Sequence, residues 1–520
     1  MSSKTEKSGA LRWRALRSTT SNYLGKLIAL GAGFILTPFM LHELGADSYG
    51  LWILVGSLVA YGALLDFGIA SAITKHVASY STTGQVEEAQ QFISTALILY
   101  MLLGVSAIML AVIIAPFFPQ FFNVPASQTV EASWLVILSG VAVGIAIPAT
   151  TTSAILRGLH RFDLTNILSI FGTLLYVVTT ILILKLGGGL ILLVGAGIVI
   201  TVVMQIPSIY FVHRVAPELR LDWRAANRHH ARRITSYSSS IFIVNFSGQL
   251  QAKTDELVIG RWLPLAAIAP YSVAHRLSEI TQILADQFLK IILPLASQLH
   301  AENDPASLRA LYIVSTRLTL AVIVSIGAIL MLIAPFILTL WVGSEYAKAA
   351  PLVWVLIIAV AVDTSQWSAA SVLQGMARHR PLAFMALASG LANLVLSIVL
   401  VQWIGLIGVA LGTLIPTSIE CIGFVMPYAM RVIGVRAREA ITEIILPAFI
   451  PVIPTILALA LMLGVIPPVS WLALGAVVIL AALVYLIGYM IIGAKEFEQQ
   501  VLHDLVGSTI HFAKARLKPS

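Results

Sequence analysis

Apolar runs long enough to cross a bilayer recur from one end of the chain to the other, with short polar breaks between them. They predict spans near residues 20–42, 49–74, 91–117, 131–156, 165–186, 190–213, 236–260, 270–297, 310–341, 351–377, 382–403, 406–430, 443–465 and 468–493. The pattern is that of an all-α polytopic membrane protein with about 14 transmembrane helices. The polar, basic start, MSSKTEKSGALRWRALRSTTSNYLGK, leads into the first run without an A-x-A cleavage site, which favours a retained first span.

The pattern also repeats. SNYLGKL at 21–27 parallels VNFSGQL at 244–250, Asp66 in LLDFGIAS parallels Asp286 in LADQFLK, and AILRGLHR at 154–161 parallels SVLQGMARHR at 371–380. Each pair is offset by roughly 220 residues, in the same order. A six-span unit thus occurs twice, in the same orientation because six is even, with a site expected between the halves. The expected organisation is a basic cytoplasmic tail (1–19), an N-terminal lobe of spans one to six (20–213), a basic cytoplasmic linker (214–235), a C-terminal lobe of spans seven to twelve (236–430), two added spans (443–493) and a cytoplasmic tail (494–520).

Composition agrees with a membrane location: of 520 residues 58% are hydrophobic and 11% charged, and mean hydropathy is +0.93. The net charge of +8 does not require a nucleic-acid partner, because basic residues collect on cytoplasmic loops. With the N-terminus in the cytoplasm, about 24 Lys and Arg fall inside, about 3 outside and about 5 within spans, which places both termini inside. The one cysteine, Cys421, excludes an intrachain disulfide and argues against a thiol metal cluster.

Charge inside the spans changes the picture further. On a helix at 100° per residue, Asn245, Gln249, Lys253 and Glu256 share about one quadrant, with Gln251 and Asp255 on a second edge. In the next span Ser272, His275, Arg276, Glu279, Gln282, Asp286, Gln287 and Lys290 fall within about 140° of arc. A charge at the bilayer centre costs about 2.5–3.5 kcal/mol on insertion scales, so these edges face protein or a wet cavity. Arg276 with Glu279 and Asp286 with Lys290 are spaced to neutralise each other along the helix, but that leaves the amides on the same edge unexplained. An aqueous lumen between the lobes accommodates both. Asn22 and Lys26 occupy the matching first span, where Lys26 can also snorkel to the cytoplasmic interface. Arg317, Asp66, Asp363 and Glu420 are further in-span charges. Asp66 and Asp363 lack a partner on their own helix, so each is either a proton carrier or one end of an interhelical hydrogen bond.

Enzyme chemistry has no foothold. There is no G-x-x-x-x-G-K-[ST] loop, no H-E-x-x-H, no cysteine pair and no long outer loop. Glu43 with Asp47 is the nearest acid–base candidate and reads as a solvated loop. The expectation is a transporter that uses no cofactor.

The opening NYLGKLIALGAGFILTPFMLHELGADSYGLWILVGSLVAYGALLDFGIASAITKHVASY, with its LG…YG loop and LDFG segment, and the later ILRGLHRF, resemble the polysaccharide transporter (O-antigen flippase) family. That family belongs to the multidrug/oligosaccharidyl-lipid/polysaccharide exporter superfamily. The resemblance covers essentially the whole chain. It implies a multi-pass protein of the bacterial inner membrane. Such a protein moves an undecaprenyl-diphosphate-linked oligosaccharide from the cytoplasmic to the outer leaflet by alternating access, for surface polysaccharide biosynthesis. Membrane lipids, the polysaccharide polymerase and the chain-length machinery are the partners it suggests, and no nucleic acid.

On that reading Lys26, Lys253, Arg276, Lys290 and Arg317 are candidate cations for the diphosphate, and Asn22, Asn245, Gln249, Gln282 and Gln287 suit sugar hydroxyls. Asp66, Asp255, Glu256, Glu279, Asp286 and Asp363 are candidates for proton or sodium coupling. A cation-coupled multidrug exporter and a lipid II flippase are the alternatives. A drug-cation site should be dominated by carboxylates and aromatics, whereas cations and amides are as prominent here. The lipid II flippase is characterised by an arginine group in its N-terminal lobe, where this chain offers only Lys26.

Overall fold

The computed structural model describes residues 2–219, 223–465 and 467–494, and among these every regular element is helical. Helix α1 (Ser2–Gly62) runs through the first predicted span and most of the second. It bends at Gly45, at φ 76° and ψ 168°, a conformation glycine reaches without a Cβ clash. The loop expected between the first two spans is therefore a kink. The second span breaks further on, in a tight turn over Ala63–Asp66 with Phe67 (φ 46°) and Gly68 (φ 79°) left-handed, before α2 (Ile69–Thr83).

There follow α3 (Val86–Ile114), α4 (Thr129–Gly158), α5 (Phe162–Lys185), α6 (Leu190–Val215), α7 (Arg228–Trp262), α8 (Ile268–Ala301), α9 (Pro305–Trp341), α10 (Ala350–Ser365), α11 (Trp367–Gly375), α12 (Arg380–Ile404), α13 (Leu406–Ile433), α14 (Ala437–Val465) and α15 (Trp471–Gly493). Among the described residues eleven helical segments are long and apolar enough to cross a bilayer. One of them, Leu24–Asp66, occupies the ground of two predicted spans. The seventh and eighth predicted spans are helical, as α7 and α8, but are not among the eleven. Several side chains of both helices lie outside the described residues, and the described end of α8, Ile291–Ala301, is a shorter apolar helix.

The chain forms two compact units, Met1–Ser272 and Val273–Ser520. In the first, α4 packs against α2, α3 and α6, and α1 lies along α5 and α7. Its core includes Ile73, Phe92, Tyr100, Ile155 and Leu156. In the second, α9 packs against α10, α14 and α15, and α12 pairs with α13. The first turn of α8 belongs to the first unit and the rest to the second. Large apolar side chains such as Ile206, Trp403 and Leu472 stay exposed, as a lipid-facing surface requires.

Two segments that the sequence pairs, AILRGLHR and SVLQGMARHR, end in the same backbone turn. Past α4, His160 is left-handed at φ 56°, with the Leu159 N–H on the Ile155 carbonyl and the Arg161 N–H on that of Leu156. Past α11, Ala377 is left-handed at φ 56°, with the Met376 N–H on Val372 and the Arg378 N–H on Leu373. Positive-φ residues also end other helices: Gly84 after α2, Gly187 after α5, Asn303 after α8 and Gly405 after α12. The last residues of α4 and α11 are close-approach glycines: a Cβ on Gly158 would lie 2.7 Å from Val77 of α2, and one on Gly375 2.7 Å from Ala296 of α8. The two copies part at Asp66 and Asp286. The first sits in the broken turn before α2, the second within the unbroken α8.

Candidate functional site

The site grows from the turn at 63–68. Asp66 ends the turn and holds it: Oδ2 accepts the Gly68 N–H at 3.2 Å, Oδ1 accepts the Ala70 N–H at 3.1 Å, and the Tyr100 hydroxyl of α3 donates to Oδ1. The carboxylate thus serves the free N–H groups at the start of α2, as an N-terminal cap does. Of the two alternatives raised by the sequence for Asp66, the interhelical hydrogen bond is present. Phe67 stacks on Phe242 of α7 with ring centroids 5.0 Å apart, and Phe242 stacks on Phe246 at 5.9 Å.

That stack brings the polar edge of α7 beside the turn. Asn245, Gly248, Gln249 and Ala252 line a cavity of about 320 Å³ with Ala63 and Leu64. Gly248 and Ala252, four residues apart, leave the space; Asn245 and Gln249, also four apart, supply amides. One turn on, half-buried Lys253 pairs with Glu256, Nζ to Oε1 at 3.8 Å. Glu256 and Asp255 are each only 4% exposed. The Asp255 Oδ2 accepts from the Tyr271 hydroxyl of α8, and the Tyr61 hydroxyl of α1 lies 2.8 Å from Thr254 Oγ1. The edge is therefore open and amide-bearing at 245–253 and closed and acidic at 254–256.

Other predicted residues are dispersed. On α8, Glu279 pairs with His275 Nδ1 at 3.7 Å, and Arg276, Gln282 and Asp286 are half-buried. Lys26 is exposed on α1. The side chains of Asn22, Gln287 and Lys290 lie outside the described residues. Asp363 accepts from Trp367 Nε1 at 3.0 Å. Arg317 is 2% exposed: its Nη1 donates to the Glu443 carbonyl of α14 at 3.1 Å and lies 3.9 Å from Glu443 Oε2. The guanidinium thus ties α9 to a backbone carbonyl of α14. Arg309 makes a second tie from α9 to α14, through Glu439.

Sequence reasoning missed the tyrosines. Tyr61, Tyr100 and Tyr271 each bring a hydroxyl to a polar group in a span. A buried tyrosine needs a partner for its O–H, which was the available signal, but pairs such as Tyr61 with Thr254 cross 193 residues.

A family model described as polysaccharide biosynthesis protein matches residues 44–351, more than half of the chain. The probable low-salt glycan biosynthesis flippase Agl15 of Haloferax volcanii is 22% identical over 412 residues, 78% of this chain and 82% of its own. The uncharacterized membrane protein EpsK of Bacillus subtilis is 19% identical over 487 residues, covering 93% and 96%. Among solved structures, the lipid II flippase MurJ in an inward closed conformation superposes with TM-score 0.74 at 14% identity, over 93% of this chain and 99% of that one. An inward-facing MATE-family multidrug transporter gives TM-score 0.70 at 15% identity, over 79% and 94%. Those likenesses carry the fold, and the family match carries the membership: the chain belongs to the polysaccharide biosynthesis protein family, on the fold of the multidrug/oligosaccharidyl-lipid/polysaccharide exporter superfamily.

Proposed function

We propose that this protein is a flippase that carries an undecaprenyl-diphosphate-linked oligosaccharide from the cytoplasmic to the outer leaflet of a bacterial inner membrane. Two six-span bundles, 20–213 and 236–430, alternate access to the two sides. Fourteen crossings put both termini in the cytoplasm. Family membership and the flippase names among the relatives support the class of activity. The observation that carries the reading is the α7 edge, where Asn245 and Gln249 line a cavity and Lys253 follows one turn on. Amides suit sugar hydroxyls and an ammonium suits the diphosphate.

Lys253 and Arg276 are the cations we assign to the diphosphate, with Lys26 and Lys290 as further candidates. Arg317 is left out because its head group is held by Glu443. Without such groups each unpaired polar atom of the head would cost several kcal/mol in hydrocarbon. The test is translocation of a fluorescent undecaprenyl-diphosphate oligosaccharide in proteoliposomes, read by a lectin that cannot cross the membrane. Lys253→Ala and Arg276→Ala should each slow translocation roughly tenfold or more, from loss of a charge-assisted hydrogen bond of about 1.5–3 kcal/mol. Unchanged rates in both variants would remove these residues from the site, and no translocation by the parent protein would remove the function.

A further inference from the structure

A second cavity, of about 450 Å³, lies among α4, α5 and α6 and shares no lining residue with the one beside α7. Thr165, Ser169, Thr173 and Tyr176 line it along one face of α5, and Thr201 and Gln205 along one face of α6. Gly172, between two of these positions, leaves room where a side chain would fill it. No residue lining it carries a charge. Its size is within the roughly 300–1,000 Å³ range of small-ligand sites.

The hydrogen bonds around the wall decide what it can offer. Thr165 donates its hydroxyl to the Phe162 carbonyl at 3.0 Å, Thr173 to that of Ser169 at 2.9 Å, and Thr201 to that of Gly197 at 2.8 Å. Those hydrogens are spent on the helices, so the three hydroxyls present acceptor lone pairs. Gln205 is tied to the wall at its amide end. Its Oε1 lies 3.1 Å from Thr152 Oγ1, which is also 3.0 Å from the Ala149 carbonyl and accepts from Ser208 at 2.7 Å. Thr152 is 7% and Ser208 4% exposed. The Gln205 amide, which can both donate and accept, lines the cavity. Tyr176, Leu168, Ile200 and Met204 add apolar surface.

A wall of hydroxyls and one amide, with an aromatic ring and no charge, complements a neutral group that has both O–H donors and oxygen acceptors and a C–H face. That group is a sugar ring. A diphosphate would find no cation, and an organic cation would find no carboxylate. We propose that the α4–α5–α6 cavity is a saccharide subsite. Resting on the flippase reading, it takes neutral sugar of the carried head group while the charged edges of α7 and α8 take the diphosphate.

The test uses the full chain in nanodiscs, with Cys421→Ala and a single reporter, Thr173→Cys, on the cavity wall. The rate of N-ethylmaleimide labelling is measured with maltose, with N,N′-diacetylchitobiose and with inorganic pyrophosphate. At least one of the sugars should slow labelling about threefold, which corresponds to about two-thirds occupancy, and pyrophosphate should leave the rate unchanged. Gln205→Leu should abolish the protection. Thr201→Cys on the facing helix gives the same readout should the first reporter fail to fold. No protection by either sugar, equal protection by pyrophosphate, or protection that survives Gln205→Leu overturns the subsite. Lipid-linked oligosaccharide translocation is scored separately. Sugar protection without translocation sinks the flippase reading alone, and translocation without protection sinks the subsite alone.

Discussion

At the scale of single residues, the in-span charges of this protein divide by what occupies their head groups. Asp66 is spent on the start of α2 and on Tyr100, and Arg317 on the Glu443 carbonyl of α14. Both are expected to act on stability rather than transport. Tyr100→Phe should cost about 1.5–3 kcal/mol, the range for a hydrogen bond to a charged acceptor, seen as a lower midpoint of thermal unfolding in detergent. Arg317→Ala should cost about 2–3 kcal/mol, less than a fully buried pair because Glu443 is 30% exposed. Its translocation rate per folded molecule should match the parent. A transport defect larger than the loss of folded protein would return Arg317 to the substrate path.

At the scale of helices, the packing of α4 on α2 and of α11 on α8 depends on one glycine in each pair. Gly158→Ala and Gly375→Ala should each destabilise by about 1–3 kcal/mol, the usual effect of overpacking. The two losses should be similar because the contacts are: a Cβ at Gly158 meets the Thr74 carbonyl at 2.9 Å, and one at Gly375 meets the Ser297 nitrogen at 2.9 Å. Gly195→Ala, with no atom within 4 Å of the new Cβ, is the control and should not destabilise. The same helix ends predict a gain. Ala377 sits at φ 56°, where a Cβ costs roughly 1–2 kcal/mol, partly offset by the freer unfolded chain of a glycine. Ala377→Gly should therefore stabilise by up to about 1 kcal/mol, measured in the same unfolding assay.

At the scale of the whole molecule, the proposed cargo is an anion that leaves a cell whose interior is negative. Each uncompensated charge gains about 2.3 kcal/mol per 100 mV, so two would gain roughly 5 kcal/mol. Proteoliposomes loaded with potassium and given valinomycin should export the lipid-linked oligosaccharide faster as the inside becomes more negative. Setting equal potassium on both sides should remove that acceleration. A rate indifferent to the potential and dependent on a proton or sodium gradient would instead move the coupling to the acidic end of the α7 edge, Asp255 and Glu256.

Hydropathy was enough to determine that the chain is a helical membrane protein, because hydrocarbon demands that every backbone group be satisfied within a helix. Motif spacing paired AILRGLHR with SVLQGMARHR, and both segments turn through a residue at φ 56°, His160 and Ala377. Helical periodicity alone placed Asn245, Gln249 and Lys253 on one edge. Tertiary structure decided the partners. Which polar group meets which tyrosine, and which carbonyl an arginine reaches, depends on contacts 16 to 193 residues apart that no local pattern encodes. The hydroxyl-lined cavity was equally invisible. Scattered Ser, Thr and Gln in apolar helices look like ordinary back-bonding residues until α4, α5 and α6 bring their faces together around one space.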